Sequence, residues 1–360
     1  MAKLFGNRGE WSEPYVLLKL LGEGRLYAAD ENLRKLSEIY FPILNILRQE
    51  EKDRKINFSV KDTEKIIEIY FNDDFISEIP ESKFIEEANY LYQKIIDRTE
   101  TTFEVEKTEA FLNSICITKL KAPNEDKTDI TLRIHDINTG HEPICGFSIK
   151  SRLGNPSTLI NASEATNFIY EIDGLPDSKI DSINGIESNQ KIIDRIRSII
   201  QAGGHFKFYK MNSSVYANNL MFIDSRMPEL LSYALLYSYA DNVSECSPVI
   251  TLLGNRNPLH YPSGNYYEYK FKKLLCSAAL GMMPSKPWSG KDEANGGYII
   301  VCESGDVLAY HIYNRDSFES YLLANTKFER ASTSRHNFAT LYKENGKTFI
   351  KLNLQIRFIK

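Results

Sequence analysis

Apolar residues recur along this chain at two spacings, and the switches between them lay out its elements. In "GEWSEPYVLLKLLGEG" the period is helical. Val16, Leu17 and Leu20 share one stripe headed by Glu13, Ser12 stands as a cap, Pro14 falls in the first turn, and Gly22 and Gly24 end the segment. "ADENLRKLSEIY" predicts a second helix capped by Asp30. "FPILNIL", "INFSV" and "IIEIYF" are short and rich in β-branched and aromatic residues, and predict strands. "SKFIEEANYLYQKIIDR" returns to an amphipathic helix, and "EKTEAFLNSICI" predicts another.

Two β-rich runs follow, Asp129 to His135 and Ile144 to Ser151, separated by the turn formers Asp136, Asn138, Gly140 and Pro143. Paired antiparallel with the turn centred on Asn138 and Thr139, they set Asp129 opposite Ser148. Strand alternation then turns Ser148 and Lys150 the same way, with Asp129 beside them, and leaves Asp136 next to the turn. Lys150 is an isolated charge in a run, "GFSIKS", that otherwise reads as a buried strand.

Beyond it, the loop "RLGNPSTLINAS" and a short helix precede the strand "NFIYEI", so the order around Lys150 is helix, strand, strand, helix, strand. "NQKIIDRIRSIIQAGG" predicts a helix with a glycine stop, "HFKFYKM" a strand, and "PELLSYALLYSYAD" and "YYEYKFKKLLCSAALG" two helices. From Gly297 the chain turns to strands, "YIIVCES" and "DVLAYHIY". The helix "SFESYLLAN" follows, then strands "FATLYK" and "TFIKLNLQIRF" around the turn "ENGK". The whole reads as an α/β protein in three regions: residues 1–110 as an α/β elaboration supplying the first helix, 111–225 as the core, and 226–360 as a mixed α/β region.

With 360 residues, 42% hydrophobic and 26% charged, the composition is that of an ordinary globular protein with room for a large core. "MAKLFGNRGEW" has no apolar leader, and no run approaches the roughly 18 apolar residues that span a bilayer, so a soluble, cytoplasmic protein is expected with no membrane partner. Five scattered cysteines without a CxxC pair argue against a disulfide framework or a structural zinc site, and six dispersed histidines without HExxH argue against a zinc hydrolase. GxSxG and GxxxxGK[ST] are absent. The net charge of −4 is unevenly spread. Residues 51–110 are acidic, whereas Thr326 to Lys360 carries Lys327, Arg330, Arg335, Lys343, Lys347, Lys351, Arg357 and Lys360 against Glu329 and Glu344.

An aspartate opening one strand, with a short residue, one spacer and a lysine on its hairpin partner, resembles the PD-(D/E)xK nucleases. In such a site a carboxylate holds Mg2+ through oxygen, the metal acidifies a water, and the lysine orients that water and offsets charge on the phosphate. The resemblance implies a restriction-endonuclease-like core, a mixed sheet flanked by helices, with α/β elaborations. It assigns Asp129 and the backbone carbonyl of Ile149 to the metal and Lys150 to catalysis. Here Thr128 stands in place of the family's proline and Ser148 in place of the second carboxylate. The competing reading is a solvated hairpin lysine paired with an aspartate. Glu13 likewise has two readings, a residue favoured by the helix dipole near an N-terminus or a carboxylate aimed inward at the site.

Longer phrases resemble the HpaII-type restriction endonucleases: "GEWSEPYVLLKLLGEGRLYAADENL", "DITLRIHD…GFSIKSRLGNPSTLINAS…TNFIYEI" and "NGGYIIV…YHIYNRDSFESYLL…TSRHNF…LNLQIRF". The likeness spans nearly the whole chain. It implies Mg2+-dependent cleavage of double-stranded DNA at a short palindrome, with CCGG the target of the namesake, a homodimer as one way to engage the palindrome, and a cognate DNA methyltransferase as functional partner. Residues 111–225 would be the nuclease core and 226–360 the recognition region. Carried over by position, Asp129 is the metal aspartate, Ser148 the variant acidic position, Lys150 the catalytic lysine and Glu13 a further carboxylate. For base reading, "STSRHNF" offers Arg335, whose fork matches guanine O6 and N7, with His336 and Asn337 beside it; Arg256 and His260 in "GNRNPLHYPSG" are lesser candidates. Two other functions fit the motif: a non-catalytic DNA-binding protein on a nuclease fold, and a structure-specific repair nuclease.

Overall fold

A computed structural model describes residues 3–51, 53–121, 128–311, 314–336 and 338–359. They form two compact units, each assembled from separate stretches of chain: residues 1–157 with 292–318, and 158–291 with 319–359. These units do not follow the three consecutive regions read from the sequence, because the strands of the first unit come from all three.

In the first unit, α1 (Arg8–Glu23) leads into β1 (Arg25–Ala29), β2 (Lys35–Glu51), β3 (Arg54–Lys61), β4 (Ile66–Phe71) and β5 (Asp74–Pro80). Then come α2 (Glu81–Asp97), α3 (Glu106–Ser114), β6 (Ile130–Ile134), β7 (Ile144–Ser151) and, much later, β11 (Gly297–Val301) and β12 (Val307–His311). The strands make one nine-stranded sheet in the order β1-β12-β11-β7-β6-β2-β3-β4-β5. A further pairing of β1 with β2 closes its first six strands into a barrel-like ring. The 17-residue β2 makes closure feasible: its first half pairs with β1 and its second half with both β6 and β3. The β1–β12 and β7–β11 pairs are parallel and the rest antiparallel.

The helix expected at Asp30 is instead the hairpin between β1 and β2. Asp30 does cap, but it caps a turn: its Oδ1 accepts the N–H groups of Asn32 at 2.9 Å and Arg34 at 2.8 Å. Pro42 explains why strand wins, since the residue before a proline is pushed to extended backbone and the strand already contains Ile39, Tyr40 and Phe41. At α1 the cap is Asn7 rather than Ser12, in a capping box with Glu10, so Pro14 lies inside the helix and not in its first turn. Gly24 ends α1 in the left-handed conformation, φ 64°. The expected stripe is correct: Val16, Leu17 and Leu20 are buried in the core beside Ile130, Phe147 and Ile149.

In the second unit lie β8 (Thr158–Ile160), β9 (Asn167–Asp173), α4 (Ile180–Asn184), α5 (Lys191–Gln201), β10 (His205–Met211), α6 (Ser214–Ile223), α7 (Met227–Ala240), α8 (Cys246–Arg256) and α9 (Asn265–Leu280). Most of α10 (Arg315–Ala324), β13 (Thr326–Phe328), α11 (Thr333–His336), β14 (Leu341–Glu344), β15 (Lys347–Asn353) and β16 (Ile356–Phe358) complete it. Its sheets run β10-β9-β15-β14 and β13-β16-β8. The strand "NFIYEI" is therefore correctly read as a strand, β9, but it does not join the sheet of Lys150. The parallel neighbour of β7 is β11, and only a 3-10 turn stands where the intervening helix was expected. No described helix is long and apolar enough to cross a membrane.

α1 packs along α2, and Gly22 is where the two backbones approach. A Cβ on Gly22 would lie 2.6 Å from Ile85 Cγ1 and 2.8 Å from the Ile85 backbone nitrogen, which cannot give way as a flexible side chain would. Gly22→Ala is therefore expected to lower stability by about 1–3 kcal/mol despite alanine's better helix propensity. An unchanged or raised urea midpoint would show that the helices do not meet there.

Candidate active site

The β6–β7 hairpin has the register expected from the turn residues, with Ile130 opposite Phe147 and Thr131 opposite Gly146. The ladder continues one step outward, where the Asp129 N–H donates to the Phe147 carbonyl at 2.9 Å, and this sets Asp129 beside Ser148. Two donors from β7 then fix its carboxylate: Ser148 Oγ at 3.0 Å and the Ile149 N–H at 2.7 Å, both to Oδ2. Oδ1 takes part in no hydrogen bond or ion pair among the described residues. Ser148 is buried, so its hydroxyl serves as a donor that orients the aspartate. Phe147 and Ile149 alternate alike along β7, so the Ile149 carbonyl points toward the edge where Asp129 sits. Gly146 keeps this corner closed: a Cβ there would lie 2.7 Å from Thr128 Cγ2, so Thr128 fits over a bare backbone.

Lys150 is half-buried, and its Nζ lies 5.6 Å from the centroid of the Tyr298 ring. Tyr298 stands opposite Ser148 on β11, which makes one face of β7–β11 the floor of the site. Among the described residues no carboxylate pairs with Lys150, so the reading as a solvated lysine paired with an aspartate does not describe it.

Glu13 enters from α1. Because the helix begins at Arg8 and Glu10 takes the capping role, Glu13 is a second-turn residue with no N-terminal task. Its Oε2 is buried and makes no hydrogen bond. Burial, followed by the charge of Asp129, pushes its carboxyl up to about 8, with Arg48, Lys121 and Lys150 pulling the other way. Glu13 thus faces inward, and it lines the same cleft as Asp129. Asp136 lies elsewhere: it is buried at the turn, accepting from the Asn138 N–H at 2.9 Å and Thr139 Oγ1 at 2.7 Å.

Glu13 forms a shared wall of two clefts in this unit. One, of about 780 Å3, takes in Asp129, Thr131 and Gly146, and the other, of about 810 Å3, takes in Lys150 and Arg152. The first cleft also shows residues not anticipated from the sequence. Arg48 Nε donates to Glu50 Oε1 at 2.5 Å, Arg48 Nη2 reaches the Lys119 carbonyl at 2.6 Å, and Glu50 Oε2 accepts from the Thr118 N–H at 2.9 Å and hydroxyl at 2.8 Å. The signal available was an arginine and a glutamate two apart inside the apolar pattern of β2.

The HpaII restriction endonuclease family model matches residues 7–358. The chain is 43% identical over 358 residues to the Type II restriction enzyme HpaII of Haemophilus parainfluenzae, covering 98% of both chains. This chain belongs to the HpaII restriction endonuclease family. It is accordingly a Type II restriction enzyme, a site-specific deoxyribonuclease, which decides against the binding-protein and repair-nuclease readings. No solved structure matches it.

The base-reading candidates of this restriction endonuclease all fall in the second unit. Arg335 is exposed on α11 and has no hydrogen bond or ion pair among the described residues. His336 is half-buried and its carbonyl accepts from Asn167 Nδ2 at 3.0 Å; Asn337 lies outside the described residues. Arg256 is committed elsewhere. Its fork makes two 2.8 Å bonds to Asp241 and stacks 4.4 Å from the Tyr237 centroid. His260 is exposed in a left-handed turn, φ 54°. Part of the basic C-terminal stretch is paired with acids, by Lys343–Asp177, by Lys347–Glu171 at 2.7 Å, and by Lys327 and Arg357 around Glu329.

Glu13 gives a pH-dependent test of this geometry. Its folded-state pKa lies above the ordinary 4.5, so the folded protein holds a proton that the unfolded chain has lost, and stability falls as pH rises from 4.5 to about 8. In EDTA, Glu13→Gln should match wild type near pH 5 and exceed it above pH 8 by an amount on the order of 1–4 kcal/mol. A difference that is flat with pH would mean that Glu13 is not buried against Asp129.

Proposed function

We propose that this restriction endonuclease cleaves double-stranded DNA in a Mg2+-dependent reaction, with Asp129, Glu13, Ser148, the Ile149 carbonyl and Lys150 as its hydrolytic centre. The observation that carries the proposal is the pairing of a fixed aspartate with a buried, unpartnered glutamate beside an unpaired lysine. The donor set suits a hard divalent cation: Asp129 and Glu13 offer carboxylate oxygens and Ile149 a carbonyl, and Mg2+ commonly takes one or two carboxylates plus substrate phosphate oxygens. No described group of three or more His, Cys, Asp or Glu competes as a metal site. When bound, the ion would supply Lewis acidity toward the phosphate and acidify the attacking water.

The protein's own groups do the remaining work. Ser148 and the Ile149 N–H hold Asp129 in one orientation, so its free oxygen is presented without reorganisation. Glu13 supplies the carboxylate that Ser148 does not, from a helix instead of the strand. Lys150, propped by Tyr298, offers its ammonium to the water and to the charge that develops on the phosphate. The antiparallel run β2–β6–β7 continued by parallel β11, with α1 against it, supports a PD-(D/E)xK core. Since the relative is named HpaII, CCGG is the first sequence to test, with two copies of the chain expected to share the palindrome. Arg335 is the leading base reader, and Arg256 recedes because its fork is occupied.

Asp129→Ala and Lys150→Ala should each abolish cleavage of a CCGG-containing plasmid while leaving the fold intact, whereas Asp136→Ala should cost stability and spare the reaction. Cleavage within a few-fold of wild type in either of the first two variants would overturn the assignment.

Arg335→Ala should weaken binding to a cognate duplex by roughly 1–3 kcal/mol and barely change binding to random DNA. A phosphate contact would instead weaken both duplexes alike and flatten the salt dependence, so titrations at two salt concentrations separate the two roles.

A further inference from the structure

A second cation, Arg152, stands just past the end of β7. The Arg152 N–H donates to the Val301 carbonyl at 2.9 Å, the bond that closes the parallel Ser151–Val301 pair, so the Arg152 backbone is anchored at the end of the β7–β11 ladder. Lys150 and Arg152 both line the cleft that Glu13 walls. The other cations of that cleft are engaged. Lys121 pairs with Glu10 at 3.1 Å, and Arg8 donates to the Leu153 carbonyl at 2.9 Å and to the Arg98 carbonyl. Arg152 is half-buried, and among the described residues its guanidinium has neither a hydrogen bond nor an ion pair. An arginine held against a wall with its fork unfilled is a site for a planar or tetrahedral oxyanion.

We propose that Arg152 binds a backbone phosphate next to the scissile one on the strand being cut. This rests on Lys150 facing the scissile phosphate, as proposed above. Two residues apart on the wall of one cleft, the two cations are placed to meet phosphates that neighbour each other on one strand. Lys150 and Arg152 then grip consecutive phosphates, and Arg152 fixes the line along which the strand enters the site.

The test is single-turnover cleavage of cognate duplexes, each with one neutral methylphosphonate at a successive position on either side of the cut. Wild type, Arg152→Ala and Arg152→Lys are compared. Arg152→Ala should slow the all-phosphate duplex by about 10- to 100-fold, and a neutral linkage at one position adjacent to the cut should slow wild type comparably while adding nothing to the variant. Neutral linkages elsewhere should slow both proteins equally, and Arg152→Lys should regain part of the loss. Arg152→Ala within about threefold of wild type, or penalties that add at every position, overturns the proposal. Should Arg152→Ala not fold, Arg152→Lys takes its place in the scan: a reduced penalty at one adjacent position supports the contact, and an undiminished one overturns it. A failure of the hydrolytic centre itself would appear separately, as cleavage persisting in Lys150→Ala.

Discussion

The site depends on β7 being gripped in register from both sides. On one edge β6 pairs antiparallel, with Ile130 against Phe147, and on the other β11 pairs parallel, with Tyr298 against Ser148. A strand has a side-chain period of two, so a slip of one residue on either edge would send Ser148 and Lys150 into the core and bring Phe147 and Ile149 out. The core forbids this, because Phe147 and Ile149 are buried together with Leu132, Val16 and Leu17. Apolar packing behind the sheet is thus what orders the polar groups in front of it, and the two hydrogen bonds onto Asp129 Oδ2 follow from that register at no further conformational expense.

Electrostatics at the site run against stability, and this has a functional reading. Glu13 and Asp129 face each other in a partly buried cleft, and Glu13 holds a proton up to about pH 8 as a result. The neighbouring Arg48–Glu50 pair is handled in the opposite way, with each polar atom of the Glu50 carboxylate satisfied by Arg48 or Thr118. Side by side, the two carboxylates differ in how far the protein satisfies them. Glu50 is buried and complete. Glu13 is buried with Oε2 unbonded, and burial together with the charge of Asp129 favours its protonated form.

What could be read from the sequence divides by the range of the interaction. The β6–β7 register was legible because Asp136, Asn138 and Gly140 fix the turn locally, and with it the meeting of Asp129 and Ser148. The helical stripe of α1 was legible from its period, although Asn7 took the capping role assigned to Ser12. Asp30 misled because an aspartate accepts N–H groups equally well at a helix start and in a tight turn, and only Pro42, twelve residues on, tips the balance. The neighbour of β7 could not be read at all: β9 is nearer in sequence, yet β11 makes the pairing, and nothing in the spacing of either strand distinguishes them. The same limit hid Tyr298.

Recognition works against a net negative charge. The chain is acidic overall, at −4, and four of the eight lysines and arginines between Thr326 and Lys360 face acids: Lys343 meets Asp177, Lys347 meets Glu171, and Lys327 and Arg357 share Glu329. A concentration of basic residues along the sequence is therefore a poor guide to a phosphate-binding face, since folding pairs them with acids from distant segments. The cations that matter are those the fold leaves unpaired. In the first unit Lys150 and Arg152 line one cleft with no ion pair among the described residues, and in the second Arg335 stands exposed on its short helix. Phosphate contacts position the duplex and carry no sequence information, so discrimination is left to base contacts. Such a division suits an enzyme that must ignore nearly all the DNA it meets.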